Sequence, residues 1–405
     1  MSVDKSRNIS VIVVGGSYAG AAVAKKLAGL SQKGYPGLVV TLVDQSTHYF
    51  HAVGFPKALV SERFADKCFL PFSAFFDPSR KHQFVHGKLE RVVDDHHIEV
   101  SGQSEALYFD YLVIATGGKA PGPINVVGPT KEAAIEEIST LRSALETGST
   151  TLVVGGGPVG VEVAGFIASK YKNNKVTLVH GGNRLLPPNF CDSVGNAAQT
   201  KLESLGVRVV LNERVEIPGD FAYASHIGQS ALQGASGAEY SSDVQILAVG
   251  FRVYSEFLAP LEEQLGQKLR IEDSSGFIRV LPTLQIDSDK LPHIFVAGDA
   301  TSLPMSTKYG FKAEMQGGTV AGNIKRLIDA GADSADNAHG ERVMPSLSKW
   351  VDYVDATLVP IGPRLGVAQM VKIPLGNIFL GNLLVANLKA KDFMIWLRKG
   401  YFPYH

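Results

Sequence analysis

The sequence predicts an α/β fold made of two nested, mainly parallel sheets followed by a small C-terminal region, and three observations carry that prediction. The first is VIVVGGSYAG at 11–20, an apolar strand running into a glycine turn. A helix-like AAVAKKLAGL follows it, then a second strand, LVVTLVD, ending at Asp44. The second observation is an echo of this grammar: TLVVGGGPVG at 151–160, then VEVAGFIASK, then KVTLVH ending at His180. Aligned by their ends, VTLVD (40–44) and VTLVH (176–180) differ only in the last residue. Each block has the strand, turn, helix and return strand of a βαβ unit, with unbroken apolar strands of the kind buried on both faces. The third observation is the order of the later strands. YLVIATGGKAP (111–121) belongs with the first block, VQILAVGFRV (244–253) takes the corresponding place in the second, and HIFVAGDATSLP (293–304) follows both. Insertion of the second block into the first explains that order. The expected fold class is therefore α/β, with two nested Rossmann-like dinucleotide-binding domains plus the C-terminal region. The expected boundaries are 1–119 with 283–330 for the outer domain, 120–282 for the inserted one, and 331–405 for the remainder. Within that remainder GADSADNAHGERVMPS (331–346) is polar and rich in small residues, and reads as a linker.

Composition narrows the functional classes. The 405 residues exceed one ordinary core, and 45% hydrophobic with 19% charged residues is the balance of a globular protein. Lysine plus arginine equals aspartate plus glutamate at 39 each, so no global field favours nucleic acid or an anionic membrane. Cys68 and Cys191 are the only cysteines and lie far apart, which argues against a disulfide scaffold, a C-x-x-C pair and a multi-cysteine metal site. The N-terminal MSVDKSRNIS carries no apolar signal region and has Ser2 where myristoylation requires glycine. No apolar run approaches the roughly 20 residues of a membrane-spanning helix.

The chemistry of the two turns sets the ligand. The first glycine of such a turn allows a tight reversal, the second a close approach to a diphosphate, and the third close packing of helix on strand. The helix N-terminus adds amide donors. Gly155, Gly157 and Gly160 satisfy the pattern, whereas the first turn reads Gly15, Ser17 and Gly20. A small serine is compatible with the same job if the backbone there is one that a non-glycine residue adopts. Asp44, at the end of the second strand, is placed to accept ribose hydroxyls. His180 occupies the matching position in the second block, where an imidazole cannot take both hydroxyls and does not repel a 2′-phosphate. Arg184 lies just downstream, so NADPH use joins NADH use as an expectation; the other reading of His180 and Arg184 is an ordinary surface loop.

Two nested blocks, ATGG at 115–118 and AGDA at 297–300 resemble the two-dinucleotide-binding-domain flavoproteins. GGGPVGVEVAGFI (155–167), GFRVYSEFL (250–258), TKYGFKAEMQGGTVAGNI (307–324) and GVAQMVKIPLGNIFLGNLLVANLKAKDFMIW (366–396) are similar to the apoptosis-inducing-factor-like branch. That branch includes the ferroptosis suppressor proteins and is related to type II NADH:quinone oxidoreductases. The resemblance implies FAD on the first turn, through Gly15, Gly16, Ser17, Ala19, Gly20, Asp44, Ala115, Thr116, Gly117 and, at the ribityl chain, Asp299. It implies NADH or NADPH on the second, through Gly155, Gly157, Pro158, Val159, Gly160, Glu162, His180, Arg184 and Gly250. Glu162 would position the nicotinamide. Lys57 would lie close to the flavin ring, and Lys389 at the flavin and acceptor site, with Phe311 and Met394 along the acceptor path. Disulfide reductases of the wider group need an early cysteine pair and the peroxidase branch a single early cysteine, whereas Cys68 stands alone and lies late, near an apolar Phe-Leu-Pro run, so electrons are expected to pass directly to an organic acceptor of the quinone type. Reduction of a small electron-carrier protein, or redox sensing with little turnover, are the competing readings. AKDFMIWLRKGYF places Phe393, Trp396 and Leu397 at helical spacing among Lys391, Arg398 and Lys399, a pattern that suits an interfacial helix or one packed on the protein's own core. The implied location is cytoplasmic, with peripheral contact to a lipid-droplet or mitochondrial surface.

Overall fold

A computed structural model of the chain describes residues 7–119, 128–219, 226–271, 275–304, 308–331, 345–352, 357–373, 376–378 and 385–402. The first block comprises β1 (Ile9–Val14), α1 (Tyr18–Ala28) and β2 (Leu38–Asp44). β1 and β2 pair in parallel, Val11 opposite Val40 and Val14 opposite Val43. β3 (Gln83–His86) joins beyond β2, and β4 (Tyr111–Ile114) lies on the other side of β1. The strands β1, β2 and β4 are almost wholly buried, which is why they read as continuous Val, Ile and Leu without polar alternation.

The chain then leaves this sheet. After α2 (Lys131–Thr147) it builds a second sheet from β5 (Thr150–Val154), β6 (Lys175–Val179), β7 (Arg208–Val210), β8 (His226–Gln233) and β9 (Glu239–Leu247). The order is β7-β6-β5-β9-β8, all parallel apart from the β8–β9 hairpin. α3 (Pro158–Lys170) follows β5 as α1 follows β1. Only then does β10 (Ile294–Val296) return to the first sheet, with Ile294 opposite Leu112 and Val296 opposite Ile114. The first sheet therefore runs β10-β4-β1-β2-β3, and its last strand arrives after the second sheet is complete. α5 (Gly310–Asp329, with α4 at Asp192–Ser204 before it) packs along α1.

The C-terminal region has its own antiparallel sheet of β11 (Thr357–Ile361), β12 (Leu365–Ile373) and β13 (Gly376–Ile378). β11 lies so close on α3 that a Cβ at Gly165 would sit 2.8 Å from the Ile361 side chain and 2.9 Å from its backbone. The chain then crosses to the first domain through a π-helical turn, Ala386–Ala390, and a short helix, α6 (Trp396–Lys399). The Phe393 ring is buried between Phe64 and Phe166, with centroids 6.0 and 5.6 Å away, so one side chain joins three regions. The linker expected at 331–346 lies largely outside the described residues.

One expectation is corrected. Phe393, Trp396 and Leu397 do not share a helical face. Phe393 and Met394 take left-handed backbone angles, φ 51° and 58°, and the helix begins only at Trp396. Phe393 is core, Arg398 is buried against Glu314, and Trp396 and Leu397 are left 60% and 40% exposed. The apolar period is broken by a turn that side-chain spacing does not reveal. Among the described residues, no helix is long and apolar enough to cross a membrane.

Candidate active site

The two turns are superimposable in logic. Gly15 and Gly155 have φ of 95° and 113°, and a Cβ on either would lie 2.3 or 2.4 Å from a carbonyl oxygen, of Ala115 and Ala248 respectively. The third glycines, Gly20 and Gly160, press on the carbonyls of Gly15 and Gly155, leaving no room for a side chain. The middle positions differ from these. Gly157 sits at φ −71°, ψ 177° and Ser17 at φ −77°, ψ −155°, extended angles open to any residue. A Cβ at Gly157 would meet nothing within 4 Å, and Ser17 is exposed. Ser17 therefore leaves the turn intact. Ala19 packs behind the first turn, and Pro158 and Val159 open α3 on the second.

Each turn is braced by the residue that ends the second strand. Asp44 Oδ2 accepts the Gly16 N–H at 2.6 Å, while its Oδ1 accepts the Ser46 N–H at 2.8 Å. His180 Nδ1 accepts the Gly156 N–H at 3.2 Å, the same bond made without a charge. An accepting Nδ1 assigns the proton to Nε2. Burial raises the Asp44 pKa against the pull of the two amides, and burial lowers that of His180. Arg184 departs from expectation. Its guanidinium pairs with Asp192 at 3.0 Å and donates to the Phe190 carbonyl at 2.9 Å, so it is turned into its own loop and not offered to a 2′-phosphate.

The ends of β4 and β10 complete the first turn. Thr116 Oγ1 and Asp299 Oδ1 are buried with no hydrogen-bond partner among the described residues. Such atoms are uncommon in a folded chain and fit a ligand bearing hydroxyl groups. Burial raises the Asp299 pKa, opposed by Lys308, whose ammonium burial pushes down to about 8. A cavity of about 620 Å³ opens beside Thr116, lined also by Gly15, Asp44, Lys88, Gly117 and Tyr254. The donor set and the glycine cradle fit a flavin dinucleotide. Gly250, at φ 72°, turns the chain after β9.

Glu162 and Lys389, 227 positions apart, form a buried ion pair: Lys389 Nζ lies 2.7 Å from Glu162 Oε1 and 2.8 Å from the Leu358 carbonyl. Glu162 is 4% exposed, and burial raises its pKa against the opposing charge of Lys389. Lys57 is placed differently from a free cation. Its Nζ donates to the Ala390 and Lys391 carbonyls, so it ties down the segment that carries Lys389. His51, which the sequence reading missed, ties the same segment. Its Nε2 meets the Phe393 carbonyl at 2.8 Å and its Nδ1 the Tyr18 hydroxyl at 3.1 Å, while Tyr18 accepts the Val53 N–H. A carbonyl only accepts, so Nε2 donates and Nδ1 receives from Tyr18, fixing one neutral tautomer. The one available signal was a histidine inside the apolar run HYFHAVGF (48–55). Met394 lies half-buried in this turn, and Phe311 is exposed at the start of α5, its ring centroid 6.1 Å from that of Tyr309.

Comparison with known proteins agrees with this architecture. Residues 9–317 match the model of the family described as pyridine nucleotide-disulphide oxidoreductase. The ferroptosis suppressor protein 1 of Homo sapiens is 26% identical over 394 residues, covering 96% of this chain and 95% of that protein. The apoptosis-inducing factor homolog A of Dictyostelium discoideum is 25% identical over 410 residues, covering 95% and 90%. Among solved structures, the sulfide:quinone oxidoreductase of Aquifex aeolicus shares the fold with a TM-score of 0.71 at 17% identity, covering 98% of this chain and 92% of that one. The resemblance drawn from the motifs is thus found along nearly the whole chain.

Proposed function

The chain belongs to the pyridine nucleotide-disulphide oxidoreductase family, and on that premise we propose that it is an FAD-dependent NAD(P)H:quinone oxidoreductase. The observation that carries the proposal is the buried Glu162–Lys389 pair. It joins the helix of the second glycine turn to the C-terminal segment, where a nucleotide donor and an organic acceptor would meet the cofactor from two sides. The family's name includes disulfide chemistry, but this chain has only Cys68 and Cys191. Cys68 is fully buried, and burial pushes its thiol up to about 12, so it offers no thiolate. An organic acceptor follows, and the quinone named for the Aquifex relative supports that class.

FAD, when bound, supplies a two-electron relay between a hydride donor and an acceptor. The chain's own residues supply position and charge. Asp44 holds the first turn's amide and stands ready for ribose hydroxyls, while Thr116 Oγ1 and Asp299 Oδ1 take further hydroxyls of the cofactor. His180 braces the second turn without a carboxylate to repel a 2′-phosphate, which leaves NADH and NADPH both admissible, although Arg184 is committed elsewhere and lends NADPH no support. Glu162 orients the donor's ring. Lys389, with two of its three donors taken by Glu162 and Leu358, holds a proton beside the acceptor. Lys57 and His51 keep the Lys389 segment in place. Trp396 and Leu397, exposed beside Lys391 and Lys399, support peripheral contact with a membrane that carries the quinone.

Anaerobic stopped flow tests the reading. The purified protein is expected to be yellow, to bleach with NADH or NADPH, and to regain colour on adding a short-chain quinone. A protein that carries no flavin, or one that bleaches and regains colour with oxygen but not with quinone, would overturn it.

A further inference from the structure

The ring of His180, at the end of β6, is used up by the turn it braces. Nδ1 takes the Gly156 N–H at 3.2 Å, a Cβ at Gly156 would lie 2.7 Å from the ring, and one at Gly182 would lie 2.8 Å from Nε2. The one acceptor of a neutral imidazole is thus spent on the fold. Arg184 is likewise committed to Asp192 and the Phe190 carbonyl. Neither residue is left to read the ribose end of a nucleotide on the second turn.

The neighbouring strand supplies a residue that is. β7 pairs with β6, Val210 opposite Val179, and the chain beyond β7 stays alongside the loop that follows β6. The Asn212 N–H meets the Gly182 carbonyl at 2.9 Å, and the Glu213 N–H meets the His180 carbonyl at 3.0 Å. The next residues run extended against the β8–β9 hairpin, with the Ala235 N–H on the Arg214 carbonyl and the Glu216 N–H on the Gln233 carbonyl, both at 2.8 Å. Glu213 and Val215 point inward. The Glu213 carboxylate accepts the Ser236 N–H at 3.1 Å and the Ser236 hydroxyl, and Val215 joins the apolar cluster of Leu152, Val154 and Val179. Arg214, between them, is turned outward and exposed. A Cβ at Gly181 would lie 3.9 Å from the Arg214 Cβ, so this arginine stands beside the loop of Gly181–Asn183. Among the described residues its guanidinium makes no hydrogen bond or ion pair, and neither does the exposed side chain of Asn183.

We infer that Arg214 is the specificity-determining residue for the nucleotide donor: with Asn183 it takes the 2′-phosphate of NADPH, and the chain favours NADPH over NADH. The inference rests on the second turn being the donor site. NADPH differs from NADH only in that phosphate, a dianion with three acceptor oxygens. A planar guanidinium offers it a charge-assisted, two-pronged match, and Asn183 adds an amide donor. Adjacent strands lie about 4.8 Å apart, so an arginine just past β7 stands one strand's width from the ribose end of β6, within reach of its own extended side chain. The two groups that would oppose the phosphate are removed: the strand ends in a neutral histidine, and the Glu213 carboxylate is drawn under the hairpin.

The test uses the full-length protein with its flavin. Calorimetry measures the binding of NADP+ and NAD+, which differ only in the 2′-phosphate, and stopped flow measures bleaching by NADPH and NADH. Wild type is expected to bind NADP+ at least about ten-fold more tightly than NAD+. Arg214→Ala should weaken NADP+ roughly ten- to hundred-fold, the scale of one charge-assisted bond, and leave NAD+ within about two-fold. Arg214→Lys, which keeps the charge without the fork, should retain part of the advantage. Arg214→Glu should reverse it in favour of NAD+ and NADH. Equal wild-type affinity for NADP+ and NAD+ overturns this inference alone. So does an Arg214→Ala that weakens both alike, which assigns the side chain to the shared part of the nucleotide or to the fold. Wild type that binds neither nucleotide and bleaches with neither overturns the reading of the second turn beneath it as well.

Discussion

Ser17 and Gly15 stand two residues apart in one turn and answer opposite demands. Ser17 has extended angles that match those of Gly157, whereas Gly15 has φ 95° and the Ala115 carbonyl where a side chain would go. Ser17→Gly is therefore expected to retain flavin at wild-type stoichiometry, and Gly15→Val to lose it, read from the visible absorbance of purified protein. His51 yields a prediction of a different kind. Burial, with lesser contributions from Arg398 and Lys389, pushes its pKa down to about 4 despite the Phe393 carbonyl. The unfolded chain takes up the proton near the ordinary value of about 6.5, and the folded one stays neutral until near 4. The unfolded state thus binds more protons in that window, and stability falls as pH drops from about 6.5 towards about 4. From pH 7 to 5 the histidine should cost about 2 kcal/mol. Urea unfolding of wild type and His51→Gln at the two pH values checks this: the variant should lose less by that amount.

At the scale of elements, the pairing of α3 with the π-helical turn decides what single substitutions mean. Glu162 and Lys389 each neutralise the other in a buried place, so removing one strands a charge, at a cost of roughly 3–5 kcal/mol for a buried pair. Glu162→Gln and Lys389→Met should each lower the melting temperature, and the double variant should melt above the value their sum predicts. A double-mutant cycle measures that coupling, and strict additivity would argue against the pair. This element was also the least legible. Strands β1, β2, β5 and β6 could be read directly, because burial on both faces makes them unbroken apolar runs and the turns between them need glycine. Asp44 was legible because a fixed element places it. The Glu162–Lys389 pair is made only by tertiary packing across 227 positions. Lys57 was expected beside the flavin ring, and sequence does not show that two carbonyls of the C-terminal segment are waiting for it. The left-handed turn at Phe393 and Met394 defeated the helical reading for a related reason: neither residue favours that conformation, and the packing of Phe393 on Phe64 and Phe166 imposes it.

Across the whole molecule, the inserted sheet divides the outer one between two stretches of chain. A fragment ending at residue 282 would retain Gly15 and Asp44 but lack β10, Asp299 and α5, leaving β4 with an unpaired edge. Such a fragment is expected to hold no flavin and to aggregate, as absorbance and sedimentation would report, although it contains the whole first motif.

The late return of β10 bears on how the protein is made. During translation β1, β2 and β4 emerge first, and the strand that seals β4 follows only after the whole second sheet, a delay on the order of tens of seconds. Throughout that interval a nascent chain presents an open apolar strand edge to its surroundings, which calls for chaperone protection and favours slow synthesis at low temperature in heterologous expression. The lysine that pairs with Glu162 emerges later still, so ribosome-bound intermediates that already contain both glycine turns lack the completed buried ion pair.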